Sequence, residues 1–226
     1  MKEESPVYKV QLLHHAPLSL AVTAIRRCYL SEGKSDSVNC TINTPMQYAL
    51  GPKDRALIER VIRDGHTSTL EHLTYTFDLT FSRAVLQEWS RHRIASESVQ
   101  STRYTLGVIK DKAECHPDAL CGEEGCTSMP FLKSVFPEVD TANCRQLCVL
   151  QDLLQQGHTN DKVKYGIPDA FLTSLIWTIN ARSLRNFLTL RSSKRALWEM
   201  RELAIQVFRA IPEDHQFMFS DCMEDA

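Results

Sequence analysis

Two stretches of the chain concentrate side chains that can do chemistry. Residues 91–104, RHRIASESVQSTRY, carry Arg91, His92, Arg93 and Arg103 against a single acid, Glu97, with serine and threonine hydroxyls between them. Residues 180–201, NARSLRNFLTLRSSKRALWEMR, carry five arginines and Lys194 against Glu199 alone. Arginine presents a planar fork of donors that fits a phosphate or the carbonyl edge of a heterocycle, and hydroxyls add directional bonds. Such a set suits a nucleotide, provided the fold brings the two clusters together. On a helix, Arg182, Asn186 and a residue one turn beyond share a face, because positions four apart stack. The competing reading of such a helix is a solvated basic face. A third stretch, GHTSTLEH at residues 65–72, offers His66, Ser68 and Glu71 from a loop, where they either reach a ligand or are simply solvated.

Other chemistries find little support. The chain has no GxSxG, no cysteine in a recognisable nucleophile context, no GxGxxG after a strand and no GxxxxGK[ST], so a bound nucleotide is not held by the usual glycine loops. Cys115, Cys121, Cys126 and His116 form a conceivable zinc set, but their gaps match neither a CxxC pair nor a finger, and no metal is expected. In a chain of 226 residues without a secretion signal, the eight cysteines read as reduced thiols. The net charge of −2 argues against a generic nucleic-acid or membrane-surface binder, so the local basic clusters point to small anions. The opening MKEESPVYKV has no apolar core, and no later run approaches eighteen uncharged apolar residues. A cytoplasmic location is the expectation, with no membrane or nucleic-acid partner.

The elements that must position these residues follow from periodicity. Residues 6–13 read as a strand and 17–30 as a helix opened by proline. After Gly51-Pro52, DRALIERVIRD has helical spacing and should stop near Gly65. Residues 73–81, LTYTFDLTF, alternate apolar and polar residues and give the strongest strand signal. AVLQEWSRHR reads as a helix that carries the start of the first basic motif, SESVQS as a loop, and TLGVIK as a strand. Residues 111–143 read as an insertion, with a short helix beginning near 141. FLTSLIWTI, after Pro168, suits a buried strand, although periodicity alone does not exclude a helix. ARSLRNFLTLR and ALWEMRELAIQVFRAI are amphipathic helices. Trp89, Trp177 and Trp198 read as core or interface residues rather than as stacking platforms. The fold class is α+β, a mixed or antiparallel sheet flanked by helices in one domain over 1–226.

These residues together resemble the flavin-dependent thymidylate synthases. RHRIASESVQS fits that family's RHR-seven-residues-Ser signature, and GHTSTLEH, the strand, STRY, the proline of KYGIP and INARSLRNFLTLR…ALWEMRELA follow in the family's order over most of residues 6–215. The resemblance implies FAD as cofactor, dUMP as substrate, methylenetetrahydrofolate as carbon donor and NADPH as reductant, with dTMP and tetrahydrofolate as products. It implies that Arg91, His92 and Arg93 bind the flavin with His66, Ser68, Glu71, Asn180, Arg182 and Asn186. Glu88, Val99, Gln100, Ser101, Thr102, Arg103 and Lys164 are implied at dUMP, with Arg91 and Val99 shared between the two ligands. Arg191 matches the arginine that sits against the uracil and favours ionisation at N3, the catalytic role. It also implies a homotetramer with each site built from several subunits, burying apolar surface such as Trp89 or Trp198.

The sequence departs from the family pattern at a few positions. Ser98 and Val99 stand where many members have Asn and Glu, Glu88 where Gln is common, Lys164 where an arginine usually meets the phosphate, and Arg195 where histidine is frequent. Lysine keeps the charge and loses the fork, and Val99 offers only its backbone. Two alternatives stay open beside the synthase: a non-catalytic nucleotide- or RNA-binding module, and an FAD-binding protein without synthase activity.

Overall fold

The computed structural model describes residues 8–37, 49–112 and 129–224. The strands are β1 (Lys9–His15), β2 (Thr74–Ser82), β3 (Ala95–Val99) and β4 (Leu172–Asn180), in one antiparallel sheet of order β1-β2-β4-β3. The alternation in β2 is realised in full: Tyr75, Phe77, Leu79 and Phe81 are all fully buried, while the threonines and Asp78 between them are half-exposed. β4 is a strand, with Thr173, Leu175, Trp177 and Ile179 on its buried face. Residues 115–126, considered for metal, lie within residues outside those described. Among the described residues no cluster of His, Cys, Asp or Glu could hold a metal ion, and no helix is long and apolar enough to cross a membrane.

The chain divides into two compact units, the first made of 1–9, 79–91 and 98–175, the second of 10–78, 92–97 and 176–226. In the first unit, the helices α3 (Arg83–Trp89), α4 (Thr102–Thr105), α5 (Pro137–Gln155) and α6 (Asn160–Val163) surround a core that includes Leu106, Ile109, Phe131, Leu147, Leu150 and Phe171. Trp89 stacks on Phe81 with ring centroids 4.9 Å apart. In the second unit, α1 (Ser19–Cys28) and α2 (Pro52–Arg63) bury Val22, Ile25, Ile58 and Val61, and α7 (Ala181–Arg191), α8 (Trp198–Ala210) and α9 (Glu213–Gln216) complete the chain.

Several expectations are corrected. The helix at 83 stops at Trp89, so Arg91, His92 and Arg93 lie in the connection that follows it, and residues 95–99 form a strand rather than a loop. Small polar residues favour loops locally, but pairing beside β4 at the sheet's edge outweighs that preference. TLGVIK is a helical turn followed by a 3-10 turn over Leu106–Ile109, because Leu106 and Ile109 are three apart and both point into the core. The helix expected near 141 begins at Pro137, a residue suited to the first helical position, and runs nineteen residues. Trp89 and Trp177 are core residues, in line with the reading of the tryptophans as core or interface, so the expectation that assembly buries Trp89 does not hold, whereas Trp198 is 54% exposed. Finally, Cys28, Cys144 and Cys222 are in no disulfide, but Cys148 is disulfide-bonded, against the expectation of reduced thiols throughout.

Candidate functional site

The second unit holds the helix that, with its N-cap, carries three of the expected flavin contacts, Asn180, Arg182 and Asn186. Asn180 accepts the Ser183 backbone N–H at its Oδ1, 2.9 Å away, and so starts α7 as its N-cap. This bond uses the carbonyl oxygen and leaves the amide NH2 out of the cap. Ala181, Leu184, Phe187 and Leu188 are buried, which turns Arg182, Asn186 and Leu190 outward as one stripe at four-residue spacing. The 3-10 turn Thr67–His72 packs against this helix, and Arg182 donates to Glu71 Oε1 at 2.7 Å. His66 caps the turn and Ser68 lies on it, both exposed. Arg182, Glu71, Asn186, His66 and Ser68 are thus gathered on α7 and the turn packed on it, an outward array of guanidinium, amide, hydroxyl and imidazole. Such donors fit a ligand that carries both phosphates and the polar edge of a ring.

The end of α7 holds Arg191. Its Nε–H donates to His92 Nε2 at 3.0 Å, which places the imidazole proton on Nδ1. The His92 ring stands edge-on to Phe187, with centroids 4.9 Å apart. Burial, aided by the Arg191 charge, lowers the His92 pKa to about 4, so the ring is a neutral acceptor throughout the physiological range. A neutral acceptor orients the guanidinium without repelling it. His92, expected at the flavin, is thereby placed in direct contact with Arg191. Arg93 is exposed in the connection next to it.

α7 is anchored from its other side as well. Arg185 makes a bidentate pair with Asp221, both bonds at 2.6 Å, and also donates to the Met218 carbonyl. Arg201 donates to the Ser192 carbonyl at 3.1 Å. In the basic stretch 180–201, Arg182, Arg185, Arg191 and Arg201 thus each have an assigned partner, although Arg182 stays half-exposed.

The first unit holds the expected dUMP contacts. Gln100 is fixed against the start of β4 at both ends, its N–H donating to the Ser174 carbonyl at 2.9 Å and its Oε1 accepting from Ser174 Oγ at 3.1 Å. Ser101 precedes α4, where its carbonyl accepts from the backbone N–H groups of Tyr104 and Thr105, and its hydroxyl is not used in capping. Thr102 and Arg103 follow on the turn, and Arg103 Nε lies 3.3 Å from Asp161 Oδ1. α4 packs on α6, which runs directly into the Lys164–Gly166 turn. Gly166 lies close to α5: a Cβ there would meet Leu150 Cδ2 at 2.6 Å, and Gln146 Nε2 donates to the Gly166 carbonyl at 2.6 Å. Ser101, Thr102, Arg103 and Lys164 are thus brought together by the packing of three short elements. Glu88 and Arg91 lie at the end of α3, where the Arg91 N–H reaches the Glu88 carbonyl at 3.4 Å, and Val99 ends β3 exposed.

Three residues missed in the sequence position those found there: Phe187 against His92, Asp161 against Arg103, and Ser174 against Gln100. Phe187 sits inside the NARSLRNF run and Asp161 three residues before Lys164, signals that proximity in sequence offered. Nothing local marked Ser174.

The chain is similar to known proteins over nearly its whole length. The family model described as thymidylate synthase complementing protein matches residues 11–215. Among curated proteins, the chain is 43% identical over 212 residues to a flavin-dependent thymidylate synthase of Wolinella succinogenes, covering 93% of this chain and 96% of that one. It is 42% identical over 226 residues to one of Campylobacter jejuni, covering 95% and 97%. Among solved structures it is similar to thymidylate synthase X from Helicobacter pylori, crystallised with FAD and dUMP, at a TM-score of 0.84 and 40% identity over 96% of this chain and 99% of that one. With the signature, the fold and these likenesses in agreement across nearly its whole length, the chain belongs to the flavin-dependent thymidylate synthase family.

Proposed function

We propose that this protein is an FAD-dependent thymidylate synthase that converts dUMP to dTMP. The observation that carries the reading is the likeness, at 40% identity and over 96% of the chain, to a structure that holds FAD and dUMP together. When bound, FAD supplies the redox chemistry that completes the methyl group, which explains why the chain needs no cysteine nucleophile. Methylenetetrahydrofolate as carbon donor and NADPH as reductant balance the reaction, giving dTMP and tetrahydrofolate.

The residues act on binding, orientation and charge. Arg191, held by neutral His92, is the group proposed to lie against the uracil, where its positive charge favours the N3-deprotonated form and raises electron density at C5. Ser101, Thr102, Arg103 and Lys164, with Glu88, Gln100 and the Val99 backbone, hold dUMP. In that role the exposed Arg103 exchanges its long contact with Asp161 for the phosphate. His66, Ser68, Glu71, Asn180, Arg182 and Asn186 hold the flavin with Arg91, His92 and Arg93. The fit rests on the donor set of α7 and its packed turn, whose forked and amide donors suit a diphosphate and a ring edge. Cytoplasmic, homotetrameric assembly with shared sites completes the proposal.

An anaerobic assay tests it. The flavin spectrum of the purified protein is followed during NADPH reduction, then dUMP and methylenetetrahydrofolate are added. Flavin reoxidation with dTMP formed is the expected result. A yellow protein that makes no dTMP would instead be an FAD-binding protein without synthase activity, and a colourless one that FAD fails to reconstitute would be a binding module.

A further inference from the structure

A second basic surface lies in the second unit, on elements that contribute none of the residues assigned to flavin or dUMP. A cleft of about 510 Å³ opens between α1, the 3-10 turn Glu32–Lys34 and α2, lined by Arg26, Lys34, Lys53, Arg60 and Arg63 with Glu59 as the only acid. Lys53, Leu57, Arg60 and Arg63 recur along one stripe of α2, with Ala56 and Leu57 supplying a small apolar floor. Glu59 is paired with Arg55, Arg63 lies 3.4 Å from Asp64, and Arg26 is held by Asp54. Lys34, Lys53 and Arg60 have no acidic partner among the described residues, so the cleft keeps an uncompensated positive field.

The walls are fixed by a buried network. The fully buried Asp54 carboxylate receives Arg26 on one side and the hydroxyls of Ser35 and Ser37, both at 2.5 Å, on the other. These contacts hold the Asp54 carboxyl below the usual carboxylate range although burial opposes them. Asp36 accepts the first N–H groups of α2, from Lys53 at 2.8 Å and Asp54 at 3.1 Å. It approaches so closely that a Cβ on Gly51 would collide with the carboxylate and backbone of Asp36. Segment 31–37, which carries Lys34, is thereby locked against α2, which carries Lys53 and Arg60. A positive cleft with preset walls is a binding site for anions rather than a collection of mobile surface charges.

We infer that this cleft binds the polyphosphate chain of a nucleoside di- or triphosphate, with the base or ribose on the Ala56–Leu57 floor. Its volume lies within the range of small-ligand pockets, and three cations without acidic partners match two or more phosphates better than one. A free polyphosphate shares the chemistry and lacks the apolar part.

The test is calorimetric titration of the flavin-loaded protein, saturated with dUMP so that its substrate phosphate site is filled. Inorganic tripolyphosphate and a nucleoside triphosphate serve as the two probes at low and high salt. Saturable binding that weakens with salt, and that falls roughly tenfold in each of Lys34→Glu and Arg60→Glu, is expected. Tighter binding of the nucleotide than of tripolyphosphate assigns the floor to a nucleoside, and equal binding assigns the site to free polyphosphate. Both side chains are exposed, and dTMP formation without added polyphosphate, unchanged in the variants, verifies that they fold. Absence of saturable binding, or affinity unchanged in both variants, overturns the inference.

Discussion

The arginines of α7 and the arginine of α4 make opposite use of the same side chain. On α7, Arg185 has a side chain only 16% exposed, bound through both arms of its fork to Asp221, and Arg191 is held by a neutral histidine that packs on Phe187. On α4, Arg103 is 60% exposed and meets Asp161 through one contact of 3.3 Å. Partly buried, bidentate pairs fix a geometry, whereas an exposed single contact is worth little and is readily exchanged. The difference separates side chains that build a preset electrostatic surface from those whose contacts are easily exchanged. The first group should be sensitive in turnover and stability, the second in substrate affinity.

The strongest way to break this contrast is Arg191→Ala. Turnover should fall by at least about a hundredfold, because a preset charge at the reacting ring is lost, while most of the flavin stays bound. Product assay and the visible spectrum of the purified variant check both halves, and retained turnover would remove Arg191 from the catalytic role. Arg185→Ala should cost about 1–3 kcal/mol of stability, since a charged bidentate contact between α7 and the C-terminal segment is removed. Denaturant unfolding measures it, and an unchanged midpoint would mean that α7 does not depend on that anchor.

Lys164→Ala sharpens the other side. The KM for dUMP should rise roughly tenfold with little change in kcat, and Lys164→Arg should restore affinity, because only ground-state phosphate binding is touched. A fall in kcat with unchanged KM would contradict that assignment. The smallest effect is expected at the exposed pair of Glu71 with Arg182: Glu71→Gln should alter stability by less than about 1 kcal/mol in thermal unfolding.

A pH experiment isolates the buried anchors of the second unit. His215 is 1% exposed, its Nδ1 2.7 Å from the Tyr75 hydroxyl and its ring edge-on to His15 and Tyr75. Burial lowers its pKa to about 4, with Asp214 opposing and His15 adding to the shift. The unfolded chain therefore takes up a proton first as pH falls. The stability is complete above about 6.5 and is lost between there and about 4. The melting temperature of His215→Phe should vary less steeply than that of the unmodified protein across this window. Equal slopes would place the titration elsewhere, His92 being the other depressed histidine.

Much of the site was legible because its residues cluster in sequence. RHR, STRY and NARSLRN mark themselves by composition, and the helix period alone puts Arg182 and Asn186 on one face, as found. Partners supplied by other elements were not legible. Asp221 lies thirty-six residues from Arg185, and His92 ninety-nine from Arg191. Local propensity also misread residues 95–99 and 102–109, where sheet pairing and core contacts decide the conformation.

By itself the sequence determined the alternating face of β2, the amphipathic helices of the C-terminal third, the lack of a recognised nucleophile motif and the inventory of anion-binding side chains. These properties depend on residue type and on spacings of two to four along the chain. Only the tertiary structure decided which arginines are anchored and which are available, that His92 is a neutral acceptor for Arg191, and that Lys34, Lys53 and Arg60 share a fixed cleft. Those properties depend on burial and on partners distant in sequence, because desolvation and close approach are set by packing.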